Sequence, residues 1–125
     1  MLTTKDKRAV PWIGGVFLAA AMIANVHAQA KPPAYLVVEF EVVDPVAWKE
    51  YTDAARALGG PGRFLVRAAK GVPHAGESPK SITIILFPSM EAAEAFDSSP
   101  GYTALKANRD KAAKWRSYVV EGLPN

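Results

Sequence analysis

Arg63 and Arg67 stand four residues apart in Gly62-Arg63-Phe64-Leu65-Val66-Arg67-Ala68-Ala69, a segment that reads as a β-strand. Side chains alternate along a strand, so both arginines are expected on one face with Leu65, and Phe64, Val66 and Ala68 on the other. A guanidinium is a planar fork of donors that matches a carboxylate. The pair can therefore grip an anionic group on a small organic molecule, or it can pair with Glu39 and Glu41 across a dimer and fix register without chemistry. Glu39, Tyr118 and His74 are the side chains available for proton transfer beside such a ligand. The candidate ligand-binding set is thus Arg67, Arg63, Glu39, Tyr118 and His74, and none of them forms a catalytic signature. Arg67 lies farther from the glycine-rich entrance at 59–62, so its guanidinium is expected to point into the space beneath the sheet.

Other chemistries lack their residues. The chain has no cysteine and two histidines, which removes thiolate metal sites and cysteine nucleophiles. His74 sits in a Gly/Pro-punctuated loop over 70–79, where Glu77 is a poor companion for metal ligation. Neither a metal nor another cofactor is expected. No basic stripe argues for nucleic acid, whose phosphate backbone calls for clustered cations.

The first thirty residues read as a signal peptide. Lys5, Lys7 and Arg8 precede an uncharged apolar run over 12–23, and Ala28-Gln29-Ala30 is a small-x-small site before Lys31. Cleavage is expected after Ala30, or after Ala28 through Val26-His27-Ala28. The run is short for a span of ~20 residues, so no stable membrane insertion is expected after cleavage. Loss of Lys5, Asp6, Lys7 and Arg8 lowers the formal charge from +3 to +1. The remaining 31–125 suit one domain with its own core, exported to the periplasm or secreted.

Within that domain the elements alternate. A strand over 34–43 carries Leu36, Val38, Phe40 and Val42 on one face and Tyr35, Val37, Glu39 and Glu41 on the other. Asp44-Pro45 starts a helix with an apolar stripe through Ala47, Tyr51, Ala54 and Leu58, in which Tyr51 and Trp48 are expected as core. Gly59-Gly60-Pro61 ends it. The arginine strand follows, then a strand over 80–87, apolar on both faces and so expected at the centre of its sheet. Ser89 caps a helix, Ser99-Pro100 recaps another through Tyr102, Leu105, Arg109 and Ala112, and a last strand runs over 115–121. The order predicts an α+β fold, a ferredoxin-like βαββαβ plait with a four-stranded antiparallel sheet and helices on one face. The other face is expected to carry Val37, Leu65, Ile85 and Phe87 beside Glu39, Glu41, Arg63 and Arg67. So much apolar area marks an association surface, and a homodimer packed sheet to sheet is expected.

Gly62-Arg63-Phe64-Leu65-Val66-Arg67, the Phe87-Pro88-Ser89-Met90-Glu91-Ala92-Ala93 turn into helix, and Ser98-Ser99-Pro100-Gly101-Tyr102 resemble the motifs of domain-of-unknown-function family 1330, in the dimeric α/β-barrel superfamily. The resemblance runs over 35–122 and implies the fold and the dimer. Such proteins usually carry a second glycine pair after the strand, where this chain has Ala68-Ala69. The superfamily includes cofactor-free monooxygenases, isomerases and haem-handling proteins, and fold does not carry function across it. Two readings follow. One is an exported protein that binds or transforms a small anionic organic molecule; the other is a non-catalytic envelope dimerisation module whose Arg/Glu pairs only fix the interface.

Overall fold

The structure, a computed structural model, describes residues 31–125. The expected signal peptide and its expected cleavage sites lie outside the described residues. The elements are β1 (Ala34–Val42), α1 (Pro45–Leu58), β2 (Arg63–Ala69), β3 (Ser81–Phe87), α2 (Met90–Ser98), α3 (Pro100–Thr103), α4 (Lys106–Ala112) and β4 (Ala113–Glu121). They form one four-stranded sheet in the order β2-β3-β1-β4, every neighbour antiparallel, with β3 and β1 at its centre. This is the ferredoxin-like α+β plait.

Local chemistry explains the helix boundaries. Asp44 Oδ1 accepts from the Ala47 N–H at 3.1 Å, and Pro45 occupies the first turn of α1, where a missing donor costs nothing. Gly59 closes α1 at φ 67°, in the left-handed region open to glycine. Ser89 and Ser99 cap α2 and α3 through the N–H groups of Ala92 and Tyr102, at 3.1 and 3.3 Å. The helical stretch after Ser99 is itself broken, because the chain turns at Ala104 and Leu105 before α4 resumes. β4 leaves α4 without a loop and begins two residues before the expected start at 115.

Cross-strand register assigns the faces. Phe64, Ile85, Leu36 and Val119 stand in one row across the sheet; Val66, Ile84, Val37 and Tyr118 stand in the neighbouring row and point the other way. The first row lies on the helix side, where Trp48 of α1 stacks on Phe40 at 4.7 Å and Val38, Phe40 and Ala113 form the core. Phe87 is on the same side and 2% exposed. Ile85 and Phe87 therefore belong to the helix face, not to the outer one expected from sequence. Ile84 and Leu86 take their place outside. Both faces of β3 are apolar, so alternation alone could not say which is covered.

The arginines are separated for a related reason. The pairing of β2 with β3 slips between Phe64 and Val66 and again between Val66 and Ala69. An extra residue in one strand inverts the facing of everything after it. Arg63 pairs opposite Leu86 on the outer face, whereas Arg67 lines the helix side beside Phe64. Ala68 follows at φ 47°, a left-handed conformation, and its N–H donates to the buried Thr83 Oγ1 at 2.9 Å.

Candidate functional site

Between the sheet and α1 to α3 lies a cleft of about 450 Å³, within the range of small-molecule sites. Its walls are aromatic and aliphatic: Phe40, Trp48, Phe64, Ile85, Phe96 and Trp115 all face it. Close packing would bury such side chains completely, yet Phe64 is 47% exposed and Ile85 is only half-buried.

Polar groups sit at its two ends. At the open end Gly59, Gly60 and Gly62 form the rim next to Arg56 and Arg67. A Cβ on Gly62 would come within 2.8 Å of Ile85 Cγ2 and 3.0 Å of the Phe87 ring, so the chain needs glycine to pass this close to β3. The Arg67 guanidinium lies over the Phe64 ring, 4.0 Å from its centroid, and makes no ion pair among the described residues. At the closed end Tyr51 and Tyr102 are 5% and 7% exposed, and their hydroxyls meet at 2.8 Å. Arg109 Nη1 donates to the Tyr102 hydroxyl at 3.4 Å, while its Nε donates to Asp110 Oδ1 at 2.9 Å. Burial, then the bond to Tyr102, hold the Tyr51 phenol far above its ordinary value of 10.0. Burial pulls the Arg109 guanidinium down, but its bonds to Tyr102 and Asp110 outweigh this and leave it above its ordinary value.

The five residues singled out from sequence fall in three places. Arg67 lines the cleft. Glu39 and Tyr118 meet on the opposite side of the sheet, where Glu39 accepts from the Tyr118 hydroxyl at 2.8 Å and from Arg116 Nη2 at 2.6 Å. Those bonds, the Tyr118 one first, lower the Glu39 pKa, and the carboxylate in turn raises that of Tyr118. Arg63 is also on the outer face, exposed, and Arg116 rather than either expected arginine is the partner of Glu39 within the chain. His74 is exposed in the loop between β2 and β3, and no group of three metal-ligating side chains occurs among the described residues.

Sequence reasoning missed the Tyr51, Tyr102 and Arg109 cluster as a site, placing all three on helical stripes. A signal was there: buried tyrosines need a partner for their hydroxyls, and an arginine on the buried stripe of a helix needs acceptors.

The sequence profile described as Domain of unknown function (DUF1330) matches residues 33–123. The chain belongs to the DUF1330 family. No curated protein sequence matches it at a significant level. Among solved structures, this DUF1330 domain is similar to RPA0582, a protein of unknown function from Rhodopseudomonas palustris, at 17% identity, covering 84% of this chain and 94% of that one with a TM-score of 0.56. SnoaB, a cofactor-independent oxygenase from Streptomyces nogalater, is 14% identical, covers 74% and 96%, and has a TM-score of 0.53. A dimeric ferredoxin-like protein of unknown function from Thermobifida fusca YX is 12% identical, covers 74% and 92%, and has a TM-score of 0.52. At these identities the likeness is one of fold.

Proposed function

We propose that this DUF1330 protein is exported, is cleaved after Ala28 or Ala30, pairs sheet to sheet with a second copy, and binds a small anionic organic molecule in its helix-side cleft. The observation that carries the binding is the cleft itself: about 450 Å³, walled by aromatic rings, with the Arg67 guanidinium, in no ion pair among the described residues, at its mouth. An aromatic body fills such a space, and a planar carboxylate suits the fork of Arg67. The pairing rests on the outer face, where Val37, Ile84 and Leu86 are apolar and no helix of the described residues covers them. The dimeric fold neighbour supports it. Export rests on the charged, apolar and small-x-small order of the first thirty residues.

Trp48 and Trp115 both line the cleft and report its occupancy. Titration with 2-naphthoate should give a saturable change in tryptophan emission that Arg67→Leu weakens strongly, with little change in the melt. No response from the wild-type protein would overturn the reading. Protein recovered from the envelope should have the mass of a chain starting at Gln29 or Lys31; a full-length chain held in the membrane would overturn export. The second reading, a dimerisation module without a ligand, draws on the Glu39, Arg116 and Tyr118 network on the outer face. A dimer by light scattering that ignores every aromatic carboxylate tested would favour it.

A further inference from the structure

Hydrogen counting at the closed end of the cleft limits what can bind there. Two tyrosine hydroxyls supply two phenolic hydrogens, and the 2.8 Å contact between the oxygens uses one, whichever residue donates. Arg109 adds an N–H to the same cluster, and it can only donate. One phenolic hydrogen is therefore left over, and no side-chain or backbone acceptor among the described residues takes it. Both tyrosines line the cleft, and Tyr102 also lines a smaller cavity of about 210 Å³, so the cleft is the open space that the two residues share. An orphaned donor in so buried a place is costly unless an acceptor meets it.

We propose that the Tyr51 and Tyr102 pair, backed by Arg109, is a donor site for a carbonyl or enolate oxygen carried by the ligand at the end remote from its anionic group. This rests on the reading of the cleft as a ligand site and names the substrate class that site would take: an aromatic acid bearing an oxygen acceptor on its far side. Arg109 is held in place to support it, through Asp110 and over the Trp115 ring at 5.0 Å from the centroid. Its positive charge favours negative charge developing on a bound oxygen. Two donors of different kinds thus define the two ends. Arg67 at the mouth selects a carboxylate, and the tyrosine pair in the interior selects an oxygen that need not be charged.

The test compares 6-acetyl-2-naphthoate with 6-isopropenyl-2-naphthoate, which has nearly the same shape but replaces the carbonyl oxygen by CH₂. Tryptophan emission of the purified wild-type protein should show the acetyl compound bound about tenfold more tightly, the size expected of one hydrogen bond to an otherwise unsatisfied donor. The double variant Tyr51→Phe, Tyr102→Phe, which removes both phenolic hydrogens, should bring that ratio towards one while the isopropenyl compound binds as before, whereas either single variant still keeps one phenolic hydrogen to offer. Arg67→Leu should weaken both compounds equally and leave the ratio intact. Equal wild-type affinities would overturn the tyrosine inference alone, since the cleft would still bind. No wild-type response to either compound would overturn the cleft reading and this inference with it. The wild-type ratio needs no variant to fold.

Discussion

The two faces of the sheet are built from the same alternating strands and treat charge in opposite ways. On the outer face the carboxylate of Glu39 is held by Arg116 and Tyr118, in the midst of Val37, Ile82 and Ile84. On the helix face Arg67 rests on an aromatic ring and makes no ion pair among the described residues. A satisfied ion pair on an apolar surface suits association, because it can fix register while the apolar groups are buried. An unsatisfied guanidinium beside an aromatic cleft suits recognition of a small acid. The two strand arginines therefore attach to different sides of one sheet, Arg63 outside and Arg67 at the cleft, and Arg116 is the partner of Glu39 within the chain.

The most damaging change to this division should be on the outer face. Ile84→Asp places a charge in the middle row of the proposed dimer surface, where an unpaired buried charge costs roughly 3–5 kcal/mol. Light scattering should show monomer or misfolded chain, and an intact dimer would mean that the face is not the interface. Arg67→Leu tests the other side. It should weaken 2-naphthoate binding roughly ten- to hundredfold, while urea melts move by no more than about 1 kcal/mol, the worth of an exposed cation–π contact. A large loss of stability would instead make Arg67 part of the framework.

Smaller effects sharpen the boundary between the faces. Ala68 pays a left-handed conformation of ~1–2 kcal/mol, and Gly there gives back ~0.4–1 kcal/mol through the looser unfolded chain. Ala68→Gly should thus stabilise by between zero and about 1.6 kcal/mol in urea melts, and a clear loss would mean that the bulge does not strain its backbone. Glu39 has its folded pKa lowered, by the Tyr118 and then the Arg116 hydrogen bonds. Its contribution should be complete above its ordinary value of 4.5 and fade as pH falls through the lower folded value. Melts of the wild type and Glu39→Gln should accordingly converge in acid; a constant gap across pH would rule out the ionised network as the cause.

The fold was legible because its signals are local. Asp44-Pro45, Ser89 and Ser99-Pro100 mark helix starts by hydrogen-bond chemistry that needs no tertiary context, and β3 betrayed its central place by being apolar on both sides. That same property hid its facing, since only register against β1 shows that Ile85 looks towards the helices and Ile84 away. Strict alternation puts Arg63 and Arg67 together on the face away from the helices, whereas the bulge leaves Arg63 there and turns Arg67 to the helix side. A one-residue slip has no signature in a run as uniformly strand-forming as Phe64-Leu65-Val66. The tyrosine cluster joins α1 to α3 across 51 residues of chain, and no spacing rule spans that distance.

The bulge in β2 also acts as a parity switch. A regular strand gives each side only every second residue, so odd and even positions are committed for its whole length. By changing parity between Phe64 and Val66, β2 lets its two ends spell to different readers: Arg63 is addressed to whatever lies over the sheet, and Arg67 to whatever lies under it. Insertion or deletion of a single residue in this short segment would rewrite which side is told what, without altering the composition of the strand. Relatives that differ here by one position would then present their guanidinium groups to the other audience, with the same fold and nearly the same sequence.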